Sequence, residues 1–269
     1  MTPGRIEETF ARLKSEGRTG FVAYTVVGFP DVESTLRIVP ALIEGGADVI
    51  ELGVPFSDPL ADGPKIQKAS FHALEQGVTV ETCLDVARQL RAGGVEAPIV
   101  PMGYYNPLLA YGLERFARDA AEAGMDGLIV VDLPPEESDE MLAACEAAGL
   151  RLIYLVAPTS TDERISEVAR RASGFVYCVS VTGTTGAREE IASGLAEFVG
   201  RVRNATNLPI AVGFGISLPK HFEAVSRIAD AAVIGSAIID EIAKSGPSEQ
   251  SERLKNYAEV VTGRRGTAA

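Results

Sequence analysis

The chain has 269 residues, 46% of them hydrophobic and 23% charged, with 27 Gly and 15 Pro. That is ordinary globular composition, at a length that suits one large α/β barrel or two small domains. A net charge of −12 excludes general binding to nucleic acid or an anionic membrane, which need a basic face, yet permits an anion held by backbone N–H groups at helix N-termini.

From the N-terminus, residues 1–17 carry Ile6, Phe10 and Leu13 at helical spacing on one face. Residues 21–27 form a first buried strand ended by Gly28. A helix follows Pro30, with Pro40 predicting a kink or a shortened helix, and Gly45-Gly46 stop it. Residues 48–54 are the second strand. Helical stretches at 65–74 and 80–92 lead to a third strand, 98–102, with Gly103 to Pro107 as its exit loop.

Next come a helix through Leu113 and Phe116 closed by Gly124, and a fourth strand, 127–131, ending at Asp132. Pro134-Pro135-Glu136-Glu137 reads as a helix start, with acids at the positive end of the dipole. The fifth strand is 152–156. Ser160 to Glu163 has capping-box spacing before Ile165 and Val168. The sixth strand, 174–179, runs into Ser180 to Gly186 and a helix near 191–202. The seventh, 209–212, leads into Gly213-Phe214-Gly215 and a helix near 219–227. The eighth, 231–234, leads into Gly235-Ser236. A helical tail spans 249–261, and 263–269 reads as a frayed end.

Strands this apolar are covered on both faces, and eight βα units in about 250 residues point to a single-domain (β/α)8 barrel with an extra N-terminal helix. A doubly wound open sheet is the structural alternative. Cys83, Cys145 and Cys178 show no metal spacing, and His72 and His221 stand alone, so we expect reduced core cysteines and no metal. The polar opening residues lack the apolar region of a signal peptide, and no apolar run approaches the roughly 20 residues of a membrane helix. Cytoplasm is the expected location.

The stretch from Asp48 to Pro64 carries the chemistry. Glu51 interrupts an apolar strand, and an ionised acid taken out of water costs several kcal/mol or shifts its pKa. Asp58 and Asp62 follow in a Pro- and Gly-punctuated loop, where Asp-Pro and Asp-Gly pairs are also ordinary turn material. Barrel active sites lie at the C-terminal ends of the strands. Those positions hold Glu51, Asp62, Tyr104, Asp132, Tyr177, Thr185-Gly186, Gly213 to Gly215 and Gly235-Ser236. Glycine turns after the last strands are the usual phosphate site of a barrel. Gly213-Phe214-Gly215 lacks the third glycine of a dinucleotide fingerprint. No strand end offers a Schiff-base lysine, and no histidine cluster offers a metal. Acid–base chemistry by carboxylates on a phosphorylated substrate remains.

Glu51-Leu52-Gly53-Val54-Pro55-Phe56-Ser57-Asp58-Pro59-Leu60-Ala61-Asp62-Gly63-Pro64-Lys65-Ile66-Gln67 resembles the signature of the tryptophan synthase alpha subunit family. The likeness continues through residues 102–107, 131–134, 180–188, 212–216 and 233–236. It implies a (β/α)8 barrel that cleaves indole-3-glycerol phosphate to indole and glyceraldehyde 3-phosphate. It also implies a beta-subunit partner in an alpha2beta2 assembly, with pyridoxal phosphate in that partner and no cofactor in this chain. By the matching positions, Glu51 is the general acid–base, Asp62 the second catalytic carboxylate and Tyr177 the active-site tyrosine. Gly186, Gly215, Gly235 and Ser236 line the phosphate, while Tyr24, Met102 and Tyr104 contact the rest of the substrate. Asp58 and Pro59 meet the beta subunit, and Thr185 belongs to a loop closing over Asp62. A stand-alone lyase of the same chemistry and a non-catalytic activating subunit are the competing functions.

Overall fold

The computed structural model describes residues 4–179, 188–213 and 215–264, with the backbone alone over 188–193. Its strands are β1 (Gly20–Val26), β2 (Val49–Gly53), β3 (Ile99–Gly103), β4 (Gly127–Val130), β5 (Arg151–Ile153), β6 (Leu155–Val156), β7 (Val176–Val179), β8 (Ile210–Gly213) and β9 (Ala231–Ile234). All pair in parallel in the order β5-β4-β3-β2-β1-β9-β8-β7-β6. β5 and β6 stand at opposite ends of that order, yet only Tyr154 separates them in the chain. They are two halves of one pass, and the sheet curls into an eight-pass barrel. The fifth strand expected over 152–156 is thus broken at Tyr154, whose carbonyl accepts from the Tyr177 amide at 3.0 Å.

Period-2 alternation decides what fills the barrel. Val22, Val49, Val100, Ile129, Ile153, Phe175, Ala211 and Ala231 form one buried cluster inside it. The helix Arg5–Ser15 sets Ile6, Phe10 and Leu13 against the same cluster, with the Phe10 and Phe175 rings 5.6 Å apart. The N-terminal helix therefore plugs the end where the strands begin, each large side chain contributing about 1.5–3 kcal/mol by burial. Residues of opposite phase, among them Phe21, Ile50 and Leu52, pack outward against the helices.

A polar device recurs at that same end. Asp48, Asp126, Ser173 and Asp230 each make a reciprocal pair with the strand before them. Their amides donate to the carbonyls of Phe21, Ile99, Leu152 and Ile210. Their side-chain oxygens accept the amides of the same four residues, at 2.7–3.0 Å. Strand ends that would otherwise leave buried N–H groups are closed by side chains.

Several local expectations differ. The helix Val32–Glu44 runs through Pro40 rather than stopping there. Gly103 to Pro107 is not a loop throughout, because the helix Tyr105–Tyr111 begins within it. Pro135–Glu137 forms a 3-10 turn, and the helix proper starts after Ser138. Thr161, not Ser160, caps the helix Asp162–Arg171 by accepting the Arg164 amide, while the Ser160 hydroxyl accepts the Ala157 amide. A helix over Ser236–Ala243 was hidden because it is only eight residues long and its Ala237, Ile238 and Ile239 continue the apolar run of β9.

Candidate active site

Glu51 is the third residue of β2, on the phase that faces into the barrel, with Tyr24 beside it in register on β1. It is 0% exposed. Among the described residues neither carboxylate oxygen has a hydrogen-bond partner. Desolvation disfavours the charged form, and burial pushes its pKa from 4.5 up to about 8. A carboxyl in this state is largely protonated near neutrality, with its conjugate base within easy reach.

Tyr24 and Tyr177 share this layer. Both phenols are held well above the ordinary range, first by burial and then by the carboxylates of Asp62 and Glu51. The two acids thus act on one pair of rings. Glycines make the room: a Cβ on Gly213 would stand 2.3 Å from the Tyr177 hydroxyl, and one on Gly235 would stand 3.1 Å from the Tyr24 ring. The turns after β8 and β9 therefore close directly upon the tyrosines.

Asp62 lies on the loop that follows β2. The Tyr104 hydroxyl donates to its Oδ2 at 3.0 Å and accepts the Ala61 amide at 3.0 Å. The Gln67 side chain donates to the Asp62 carbonyl at 2.9 Å and to the Pro59 carbonyl at 3.3 Å. Asp62 is half-buried, and burial raises its pKa while the Tyr104 hydrogen bond lowers it.

Asp62, Met102 and Tyr177 line a cavity of about 640 Å³ together with Gly63, Ile66 and Val179. That volume suits a small-molecule ligand. Glu51 and Tyr24 are not among the residues that line it. Gly215 has a positive φ of 51° in the turn after β8. Ser236 opens the helix Ser236–Ala243 with Gly235 as its N-cap, so the first N–H groups there have no intrahelical acceptor. Thr185 and Gly186 lie outside the described residues.

Other residues singled out from the sequence are placed elsewhere. Asp58 is exposed and accepts from the Ser57 hydroxyl at 2.6 Å, whereas Pro59 is buried. Leu60, 91% exposed, is the apolar residue this loop presents outward. Asp132, by contrast, lines the same cavity as Asp62, and its Oδ1 accepts the Tyr105 amide at 2.8 Å. The sequence offered no sign that Lys65, just beyond the loop, pairs with Asp240 on the helix Ser236–Ala243. Among the described residues, no group of three or more His, Cys, Asp or Glu side chains could hold a metal ion. No described helix is long and apolar enough to cross a membrane.

Compared with known proteins, residues 10–266 match the family described as tryptophan synthase alpha chain. The alpha chain of Roseiflexus castenholzii is 54% identical over 259 residues, covering 96% of this chain and 99% of the relative. That of Chloroflexus aggregans is 53% identical over 253 residues, covering 94% and 95%. Among solved structures, tryptophan synthase subunit alpha from Legionella pneumophila superposes with a TM-score of 0.88 at 36% identity, covering 97% of this chain and 99% of that one. A chain of Mycobacterium tuberculosis tryptophan synthase in an aminoacrylate-bound form gives 0.87 at 35% identity, covering 97% and 98%.

Proposed function

The chain belongs to the tryptophan synthase alpha chain family, lyases that cleave indole-3-glycerol phosphate, and on that premise we propose that Glu51 and Asp62 perform the cleavage. Retro-aldol scission needs a proton delivered to indole C3 and a proton removed from the neighbouring side-chain hydroxyl. The electrons of the O–H bond become the new carbonyl, and those of the broken C–C bond return to the ring. Indole and glyceraldehyde 3-phosphate leave. Glu51, protonated near neutrality, gives the C3 proton, and its carboxylate then accepts the hydroxyl proton. Asp62, ionised, accepts the indole N–H and stabilises the positive charge that builds on the ring. Tyr177 packs beside the reacting atoms. The observation that carries this reading is Glu51 itself, a wholly buried acid with no hydrogen-bond partner among the described residues.

The phosphate sits at the turns of Gly215 and Gly235, on the free N–H groups and hydroxyl of Ser236, with no basic side chain required. Gly235→Asp is expected to raise KM well beyond Gly235→Ala. Both place a Cβ against Tyr24, but only the acid brings a like charge to the phosphate. Equal KM values for the two variants would remove the phosphate from this turn.

The partner is a tryptophan synthase beta subunit in an alpha2beta2 assembly, met through the loop of Asp58, Pro59 and the exposed Leu60. Pyridoxal phosphate belongs to that subunit and not to this chain, and the assembly works in the cytoplasm. The test is indole formation from indole-3-glycerol phosphate, with and without a beta subunit. Slow release that accelerates on addition is expected. Full speed alone would make the chain an independent lyase, and no indole under either condition would make it a non-catalytic subunit.

A further inference from the structure

We propose that Tyr104 is a positioning residue for Asp62, its hydroxyl tying Oδ2 and the Ala61 amide to the end of β3 so that Oδ1 alone faces the substrate. The inference rests on the role given to Asp62 above. Tyr104 directly follows β3 (Ile99–Gly103) and is buried. Its ring packs on Phe56 with centroids 5.2 Å apart, at the base of the loop that carries Asp62. A phenol has one proton to donate, and here it is donated in a hydrogen bond to Asp62 Oδ2. One lone pair holds the Ala61 amide. The hydroxyl is therefore committed to protein groups on both sides before any substrate arrives. Nor does Tyr104 line the cavity that Asp62, Met102 and Tyr177 share.

Two consequences follow for the carboxylate. Its orientation is fixed, since the loop is held on one side by Tyr104 and on the other by Gln67 through the Asp62 and Pro59 carbonyls. Its charge is also sustained. Burial raises its pKa, and Tyr24 on β1 and Tyr177 on β7 are coupled to it electrostatically. Among these surroundings the Tyr104 hydrogen bond is what favours the ionised form.

The test is Tyr104→Phe, which keeps the ring on Phe56 and deletes the hydroxyl. Losing a hydrogen bond to a charged group is expected to lower kcat by about 10–100-fold, with KM changed far less. The acid limb of the kcat/KM profile should move to higher pH, because Asp62 then holds its proton more tightly. In an Asp62→Asn background the same change should have little further effect. A raised KM with unchanged kcat would make Tyr104 a substrate contact and overturn the proposal. So would an unmoved acid limb accompanied only by a lower Tm, the mark of a packing role. Near-normal activity of Asp62→Asn alone would instead defeat the role of Asp62, a separate outcome.

Discussion

Glu51→Gln lowers kcat for indole release at least about a hundredfold, with the barrel intact. The amide has nearly the shape of the acid but cannot exchange a proton on the reaction's timescale, so binding should survive while turnover fails. The same substitution carries a signature in stability. Glu51 titrates at about 8 in the folded chain against an ordinary 4.5, so from pH 4.5 to 8 the folded state holds a proton that the unfolded state has released. Its contribution is fully present below pH 4.5 and is lost as pH rises through the folded pKa. Wild type should therefore lose stability relative to Glu51→Gln by about 1.4 kcal/mol per pH unit across that window and no further above it. Urea unfolding of both proteins at pH 5, 7 and 9, beside steady-state assays, measures each effect. A stability difference that does not vary with pH would mean that the carboxyl is not desolvated, and near-normal kcat would remove it from the chemistry.

The sequence made the barrel readable because parallel strands buried on both faces are short apolar runs, and most run directly into Gly or Asp. It made Glu51 readable for the opposite reason, as one acid in the wrong solvent. What stayed hidden needed contacts between distant residues. Nothing near Tyr104 in the chain announces that its hydroxyl reaches Asp62, 42 positions earlier. Tyr154 reads as mid-strand, and only pairing with β4 on one side and β7 on the other splits its strand in two. The helix Ser236–Ala243, whose first turn is the proposed phosphate anchor, is only eight residues long and follows β9 so closely that its isoleucines read as more of the strand. Asp48, Asp126 and Asp230 look like ordinary acids in loops before strands, until the register shows each closing a strand start.

The last of these observations carries a large stability effect that does not depend on the active site. Asp126→Ala is expected to destabilise the fold by about 3–5 kcal/mol, the usual cost of breaking a buried ion pair from one side. Its side chain is 8% exposed, and that of its partner Arg91 is 13% exposed. Asp126 Oδ2 accepts from Arg91 at 2.7 Å and from the Ile99 amide at 2.8 Å, and Oδ1 accepts from Arg5 at 3.0 Å. One carboxylate thus joins the starts of β3 and β4, the end of the helix Val80–Ala92 and the N-terminal helix. Arg91 in turn donates to the carbonyls of Gly124, Val95 and Ala97. Alanine would leave a buried guanidinium short of its counter-charge and the Ile99 amide without an acceptor. Asp126→Asn, which keeps the acceptor and loses the charge, should fall between. Asp85→Ala is the control, since the Asp85–Arg88 pair is exposed and such pairs contribute about 0–1 kcal/mol. Urea midpoints for the four proteins decide the matter, and kcat per folded molecule should stay at the wild-type value because this end of the barrel is opposite the cavity. If Asp126→Ala and Asp85→Ala unfold at the same urea concentration, the reciprocal pairing at the strand starts is decoration, and the stability of the barrel rests on its apolar interior alone.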